Sequence, residues 1–268
     1  MANDGKNAIA GDDAEGLASL AVSDAKFDLP RFDGPIRSYV ICASPRSGST
    51  LLTTLLHGTG RMGVPAEYLN PRFLQAEMSR RFDVLLDDGR IVGPRYLQAL
   101  LDRRTTANGV FGIKILMAQM QSWTPVQQFR GLLQGATFLW LRRRDKQAQA
   151  LSMAMAQATQ VWHRQAGDPE APVPAVKFDA AHLRRSLGIV LAEDFAWRQF
   201  FAINRTTPIS VDYEDLVADP GMVCRSLADA VGVGDLPSID LEQAITKPTA
   251  GTANAEWRRR WDRSLRFR

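Results

Sequence analysis

The strongest constraint on the fold is a loop of small residues that joins an apolar strand to a helix. Residues 38–43, Ser-Tyr-Val-Ile-Cys-Ala, are mostly apolar, which predicts a buried strand. Four leucines within 51–56 repeat at helical spacing, which predicts a helix over 48–59. The intervening residues 44–50, Ser-Pro-Arg-Ser-Gly-Ser-Thr, therefore present backbone N–H groups and the positive end of a helix dipole at one place. The sequence predicts an anion-binding loop there.

Strand and helix patterns alternate along the rest of the chain. Further apolar runs predict buried strands at 110–117, 136–142 and 208–211. Apolar residues at helical spacing predict helices over 145–163, 179–204 and 220–231. Strands that alternate with helices are joined by crossover connections, which make a sheet mainly parallel. We therefore expect an α/β chain with a P-loop-like three-layer fold, in which helices flank a mainly parallel central sheet.

The charge pattern divides the chain into a tail and one domain. Residues 1–30 carry six acids against two lysines among many alanines and glycines, which indicates a solvated segment. The rest contains neither an internal repeat nor a Gly/Ser linker. We expect a disordered tail over 1–35 and a single domain over 36–268, with a helical insertion at about 61–109 beside the functional site.

Composition excludes several classes of protein. Hydrophobic residues at 45% and charged residues at 23% are globular values, which exclude disordered, collagen-like and coiled-coil chains. The two cysteines, Cys42 and Cys224, lie far apart, as expected in a reducing cytosol. Three histidines without metal-ligand spacing predict that there is no metal centre. No apolar run reaches the ~18 residues of a membrane span, and the N-terminus lacks signal-peptide features, so we expect a cytoplasmic protein.

The chain carries a net charge of +4, and its last twelve residues include six arginines, which allow two interpretations. They form a basic patch for nucleic acid or a membrane surface, or they belong to a surface helix. In the second case Trp257 and Trp261 pack against the core. The second interpretation is at least as well supported, and we expect no nucleic-acid partner.

The anion-binding loop has the shape of a P-loop but not its residues. Against the pattern G-x-x-x-x-G-K-[ST], Gly48 stands at the second glycine, Ser49 at the lysine and Thr50 at the Ser/Thr. The lysine that would contact the β- and γ-phosphates is missing, and Arg46 supplies a cation from within the loop instead. A nucleotide kinase that uses ATP and Mg²⁺ is therefore the weaker hypothesis.

The run 45–52, Pro-Arg-Ser-Gly-Ser-Thr-Leu-Leu, resembles the 5′-phosphosulfate loop of the sulfotransferases, in particular those of the bacterial Stf0 type. A second match is the strand end 141–146, Leu-Arg-Arg-Arg-Asp-Lys, which Ser152 follows on the next helix. The resemblance spans roughly 38–262. It implies an enzyme that moves a sulfuryl group from 3′-phosphoadenylyl sulfate (PAPS) to a carbohydrate hydroxyl, of trehalose or a related sugar or glycolipid. It also implies a homodimer that uses no metal.

The resemblance assigns roles to individual residues. PAPS would bind to the loop and to a clamp for its 3′-phosphate, which together comprise Arg46, Ser47, Gly48, Ser49, Thr50, Arg143 and Ser152. Arg46 would also be catalytic, because its charge stabilises the leaving 5′-phosphate. Arg142 and Arg144 are expected to point to other faces of the chain.

The segment 63–70, Gly-Val-Pro-Ala-Glu-Tyr-Leu-Asn, resembles the Gly-x-Pro-x-Glu segment of the Stf0 type. The glutamate of that segment is the proposed general base, so Glu67 takes this role here. A carboxylate can accept the proton of an attacking sugar hydroxyl. His57 is the competing base, because many other sulfotransferases use histidine. It lies among the leucines of the first helix, where a lone histidine is more often structural.

Acceptor contacts are the least specific part of the resemblance. Residues 111–114, Phe-Gly-Ile-Lys, resemble the Gly-x-Lys strand of the family, with a glutamine nearby. Lys114 or Gln119 would then face the acceptor, and a solvated strand end explains the lysine equally well. His163 is the third candidate for an acceptor contact. A catalytically silent nucleotide-binding protein stays open as an alternative to the enzyme.

Overall fold

Four parallel strands form the centre of the fold. The computed structural model describes residues 22–70, 74–122, 130–162, 176–237 and 252–265. Its strands are β1 (Arg37–Ala43), β2 (Val110–Leu116), β3 (Thr137–Arg142) and β4 (Ile209–Asp212). They are hydrogen-bonded in the order β2-β1-β3-β4, and every pairing is parallel. The predicted α/β class, a P-loop-like three-layer fold with helices around a parallel sheet, is confirmed.

Ten α-helices lie in the described ranges: α1 (Ser49–Gly58), α2 (Leu74–Arg81), α3 (Gly93–Arg104), α4 (Met117–Ser122), α5 (Arg130–Gln134), α6 (Lys146–Thr159), α7 (Ala180–Ile203), α8 (Tyr213–Ala218), α9 (Pro220–Ala230) and α10 (Thr252–Leu265). The aspartates that precede α6 and α7 accept hydrogen bonds from N–H groups of the first turn, as helix N-caps do. The helix predicted over 145–163 ends at Thr159, because Gln160 adopts the left-handed conformation with φ 59°.

The sheet separates two apolar layers because successive side chains of a strand point to opposite faces. Val40 and Cys42 of β1 belong to one core cluster, in which Trp197 and Phe201 of α7 also pack. Tyr39, Ile41 and Ala43 belong to the other, with the buried leucines of α1 and residues of α9. β1 is thus covered on both faces, as expected of the central strand of a three-layer fold.

The region 61–109, predicted as a helical insertion, contains α2 and α3. Met78 of α2, Phe82 just after α2, and Tyr96 and Leu100 of α3 are buried in the same cluster as Val40. The region therefore extends the core on the side of the sheet that α7 covers.

The segment 22–35 packs on this region, so the expected disordered tail does not extend over it. Asp28 accepts hydrogen bonds from Arg81 at 2.6 and 2.7 Å and from Arg104 at 2.5 Å. The Arg104 side chain is fully buried, and it also donates to the carbonyl of Val22 at 3.0 Å. Residues 1–21 of the predicted tail lie outside the described residues.

The arginine-rich C-terminal segment forms α10, which lies against α6. Trp257 and Trp261 are buried there with Leu151 and Leu183, which favours the interpretation as a surface helix packed by its tryptophans. Among the helices in the described ranges, none combines the length and apolarity that crossing a membrane requires.

The pairing of Asp28 with a fully buried arginine predicts a large effect of one substitution. Asp28→Asn leaves the Arg104 cation buried without its carboxylate, which costs about 3 kcal/mol. We expect Tm to fall by roughly 6 °C or more, measured by circular dichroism. Asp33→Asn is the control, because Asp33 and its partner Arg31 are 80% and 65% exposed, and such pairs contribute little. Equal Tm values for the two variants would contradict the prediction.

Candidate functional site

The loops that carry the predicted site residues meet at one edge of the sheet. The anion-binding loop follows β1, residues 143–145 follow β3, and α4 follows β2 directly. Ala43 at the end of β1 is in register with Leu116 at the end of β2. Since all four strands are parallel, these carboxyl ends form the edge where α/β proteins bind ligands.

The backbone of the anion-binding loop leaves the start of α1 open toward this edge. Arg46 and Gly48 adopt positive φ angles of 62° and 91°. Gly48 is the N-cap residue of α1, and it has no side chain that could cap the first N–H groups of the helix. A Cβ at Gly48 would lie 2.3 Å from Cδ2 of Tyr213. Glycine is therefore required both by the conformation and by the space. The leading N–H groups of α1 are oriented as in other anion sites at helix N-termini.

Three of the predicted donor-binding side chains come together around this loop. Arg46 donates from Nε to the Ser152 hydroxyl at 3.0 Å and from Nη1 to the carbonyl of Trp162. Arg143 lies with its guanidinium 4.7 Å from the centre of the Tyr213 ring, and its Nη1 is 3.5 Å from the carbonyl of Arg46. Two cationic side chains, those of Arg46 and Arg143, therefore lie together at the anion-binding loop.

The arginines on either side of Arg143 pair with acidic residues at the end of β4 and in α8. Arg142 pairs with Asp212 at 3.1 Å, and Arg144 pairs with Asp215 at 2.8 Å. Arg142 thus links β3 to the last residue of β4, and Arg144 links the end of β3 to α8. Arg143 is thus the member of the run that turns toward the anion-binding loop.

Buried polar atoms at the loop have no hydrogen-bond partner among the described residues. They are Oγ of Ser47, Nε of Arg143 and the indole Nε1 of Trp162. An unpaired buried donor costs free energy, and a bound ligand is one of its ordinary explanations. The donor atoms around this loop therefore fit an anion that carries several oxygen atoms.

Glu67 lies beside β2, next to an isolated β-bridge. Ala66 forms a parallel bridge with Ile113, and the N–H of Lys114 donates to the carbonyl of Ala66 at 2.9 Å. The turn before it requires Gly63, whose φ is 71° and whose Cβ would lie 2.9 Å from a backbone nitrogen of β2. The segment is therefore held close against the sheet.

Three side chains donate to the buried carboxylate of Glu67. Lys114 Nζ lies 2.7 Å from Oε1, while the amides of Gln119 and Asn70 donate to Oε2 at 2.7 and 3.2 Å. Burial pushes the pKa of Glu67 upward, but the charge of Lys114 and the three hydrogen bonds outweigh it, and the pKa lies below its usual value. Glu67 is therefore ionised at neutral pH.

The structure places the remaining candidates as follows. Lys114 and Gln119, which were expected to face an acceptor, are buried and bound to Glu67. His57 lies in the last turn of α1, at the opposite end from the anion-binding loop, with its ring 5.4 Å from that of Phe27. His163 lies outside the described residues.

A polar cluster in contact with the start of the loop was not predicted from the sequence. Asp194 of α7 is buried, pairs with Lys146 of α6, and accepts from the Ser44 hydroxyl at 3.4 Å. Gln149 donates to that hydroxyl at 2.9 Å. A signal was present in the sequence, because Asp194 occupies a position of the apolar stripe that Val190 and Trp197 continue. A carboxylate inside such a stripe needs a partner of opposite charge.

The described residues contain no group of three or more His, Cys, Asp or Glu side chains arranged to hold a metal ion.

The chain is similar to known proteins over most of its length. A family model described as Stf0 sulphotransferase matches residues 38–264. A trehalose 2-sulfotransferase from Mycolicibacterium smegmatis is 27% identical over 228 residues, which cover 73% of this chain and 84% of the relative. A trehalose 2-sulfotransferase from Mycobacterium tuberculosis is 30% identical over 235 residues, which cover 74% and 85%. Among solved structures, the sulfotransferase domain of the Synechococcus PCC 7002 olefin synthase covers 87% of this chain and 97% of its own, with 16% identity and a TM-score of 0.46.

The contacts of Glu67 predict the effect of removing its cationic neighbour. Lys114→Met leaves burial opposed only by the two amides, so the pKa of Glu67 should rise by about one unit or more. The measurement is a pH titration of ¹³C-labelled glutamate carboxyls by NMR, with Glu67→Gln to assign the signal. Lys177→Met, at an exposed position, should leave that titration unchanged. A Glu67 pKa that stays in place without Lys114 would contradict the assigned cause.

Proposed function

Because the chain belongs to the Stf0 sulphotransferase family, we propose that it is a sulfotransferase that uses PAPS as its donor and a carbohydrate hydroxyl as its acceptor. The observation that carries the proposal is the family match over residues 38–264, which includes the anion-binding loop, Glu67 and Arg143. The acceptor class is supported by the two relatives named as trehalose 2-sulfotransferases. Trehalose or a related sugar is thus the first acceptor to test.

The anion-binding loop and the side chains around it would supply the contacts that a bisphosphorylated nucleotide requires. The start of α1, with residues 47–50, would bind the 5′-phosphate through backbone N–H groups and hydroxyls. Arg143 would bind the 3′-phosphate, because guanidinium groups form bidentate hydrogen bonds with phosphate. Its guanidinium lies beside the anion-binding loop, with Nη1 3.5 Å from the carbonyl of Arg46, which supports this role. Ser152 holds Arg46 at 3.0 Å and so links α6 to the same site.

PAPS supplies an activated sulfuryl group, whose S–O bond to the 5′-phosphate breaks as the acceptor oxygen bonds to sulfur. Glu67 would accept the proton of the acceptor hydroxyl. Its Oε1 has one described donor, Lys114, and a carboxylate oxygen can accept two. Arg46 would stabilise the negative charge that develops on the departing 5′-phosphate. Charge is conserved, because the proton goes to Glu67 and the electron pair of the broken bond goes to the phosphate.

Donor binding can be tested without knowing the acceptor. Adenosine 3′,5′-bisphosphate at 100 times its Kd should stabilise the fold by about 2.7 kcal/mol, and so raise Tm by several degrees. 5′-AMP and ATP–Mg²⁺ serve as comparison ligands. Arg143→Ala should abolish the advantage of the bisphosphate over 5′-AMP, whereas Arg144→Ala, which removes an arginine paired with Asp215, should keep it. A shift with ATP–Mg²⁺ alone would overturn the proposal in favour of a kinase.

The role of Glu67 predicts a specific change in rate. Glu67→Gln keeps the shape of the side chain but cannot take up a proton, so kcat should fall on the order of 10²–10⁴-fold. The rate is measured as sulfate transfer from ³⁵S-labelled PAPS to trehalose. Arg46→Ala should cost on the order of 10²–10³ in kcat, while His57→Gln should retain kcat.

The pH profile gives a second test of the same base. A base whose pKa lies below its usual value of 4.5 stays ionised down to that region, so kcat/KM should be constant above it and fall only below. Burial holds the pKa of His57 below the ordinary histidine value of 6.5. An acid limb that disappears in His57→Gln would transfer the role to His57.

A further inference from the structure

Two adjacent carboxylates of α7 face the carboxyl edge of the sheet. Glu193 and Asp194 are both on the side of α7 that covers the sheet, and Asp194 is buried. Neighbouring residues of an α-helix project about 100° apart. Since β1 and β2 are adjacent in the sheet, two consecutive side chains of one helix can reach the ends of both strands.

Asp194 contacts the end of β1 through a closed ring of side chains. Its carboxylate pairs with Lys146 and accepts from the Ser44 hydroxyl at 3.4 Å. Gln149 donates to the same hydroxyl at 2.9 Å and to the carbonyl of Pro45 at 2.8 Å, and its own oxygen lies 3.4 Å from Lys146 Nζ. The ring therefore binds Ser44 and Pro45, the two residues that precede Arg46.

Glu193 contacts the turn that follows β2. Its carboxylate accepts from the N–H of Met117 at 3.2 Å and from that of Ala118. Burial raises its pKa to about 6, so the group is still ionised at neutral pH. One residue further along the same turn, Gln119 accepts from the N–H of Leu116 at 3.1 Å and donates to Glu67 at 2.7 Å.

We propose that Glu193 and Asp194 are positioning residues, which fix the base and the donor loop relative to one another from a single helix. The proposal rests on the proposed function, since it assigns the donor to the loop and the base to Glu67. Asp194 acts through Ser44 and Lys146 on the loop, and Glu193 acts through the 117–119 turn on Gln119 and Glu67. A shift of α7 would therefore alter both halves of the site together.

Charge repulsion and a positioning role predict opposite changes in ligand affinity when Asp194 is neutralised. A carboxylate beside a site for a bisphosphate repels the ligand, so its neutralisation would tighten binding if charge alone mattered. A positioning role predicts weaker binding, because the amide of Asn cannot accept from Lys146 and from Ser44 as the carboxylate does. The direction of the change in affinity therefore distinguishes the two roles.

The first experiment measures adenosine 3′,5′-bisphosphate binding by isothermal titration calorimetry. We expect Asp194→Asn to weaken binding about tenfold or more, the effect of losing a charge-assisted hydrogen-bond network. Lys146→Met should weaken it as well. Ser44→Ala, a smaller change, should weaken it a few-fold. Asp229→Asn makes the same change of charge at an exposed position of α9 and should leave binding unchanged.

The second experiment separates Glu193 from Asp194. Glu193→Ala removes the acceptor for two N–H groups, so kcat with PAPS and trehalose should fall about tenfold, while the affinity for the bisphosphate stays within about twofold. Glu193→Gln retains an oxygen that can accept from the same N–H groups and should recover most of kcat. Far-UV circular dichroism establishes whether each variant is folded. If Asp194→Asn does not fold, the affinity of Ser44→Ala tests the contact between α7 and the loop instead.

The outcomes separate this proposal from the function on which it rests. If the unaltered protein fails to bind the bisphosphate, the proposed function is wrong. If it binds, but Asp194→Asn or Ser44→Ala binds as well or more tightly, the positioning role of Asp194 is overturned and the function stands. A loss of kcat that Glu193→Gln does not recover would overturn the role of Glu193.

Discussion

Pairing of buried charges is the constraint on which the site depends. An ion removed from water costs several kcal/mol unless a partner of opposite charge and further hydrogen bonds compensate it. Glu67 has Lys114, and Asp194 has Lys146. Each pair joins two separate segments of the chain: Glu67 to a core strand, and α7 to α6. The ion pairs that compensate these two buried carboxylates therefore also hold the segments that carry them in place.

The sequence predicts most of the architecture, because the signals for it are local. Apolar runs mark β1 to β4 to within one or two residues, and the N-cap aspartates mark where α6 and α7 begin. The structure differs from the predicted end of α6 at 163 and from the predicted tail boundary at 35. Gln160 stops the helix by a left-handed conformation that its residue type does not demand. Asp28 orders its segment through arginines more than fifty positions away.

In the candidate site, too, the local motifs could be predicted from the sequence and the long-range contacts could not. The loop around Gly48, the strand end at Arg143 and the segment of Glu67 are contiguous motifs, and each could be found along the chain. The partners of these motifs could not, because the contacts between Gln119 and Glu67 and between Ser44 and Asp194 span 52 and 150 positions. Lys114 is the instructive case. A lysine at a strand end suggests a ligand contact, yet its ammonium group is paired with the Glu67 carboxylate.

The two halves of the site are built from different parts of the fold. The anion-binding loop joins β1 to α1, and the side chains that contact it come from α6 and from the end of β3. Glu67 belongs to the region that also contains α2 and α3, which packs on one face of the sheet. Tyr96 of α3 donates to the carbonyl of Tyr68 at 2.8 Å, so α3 contacts the segment that carries Glu67 directly. The position of the loop is thus set by the central sheet, and the position of Glu67 by the region packed against that sheet.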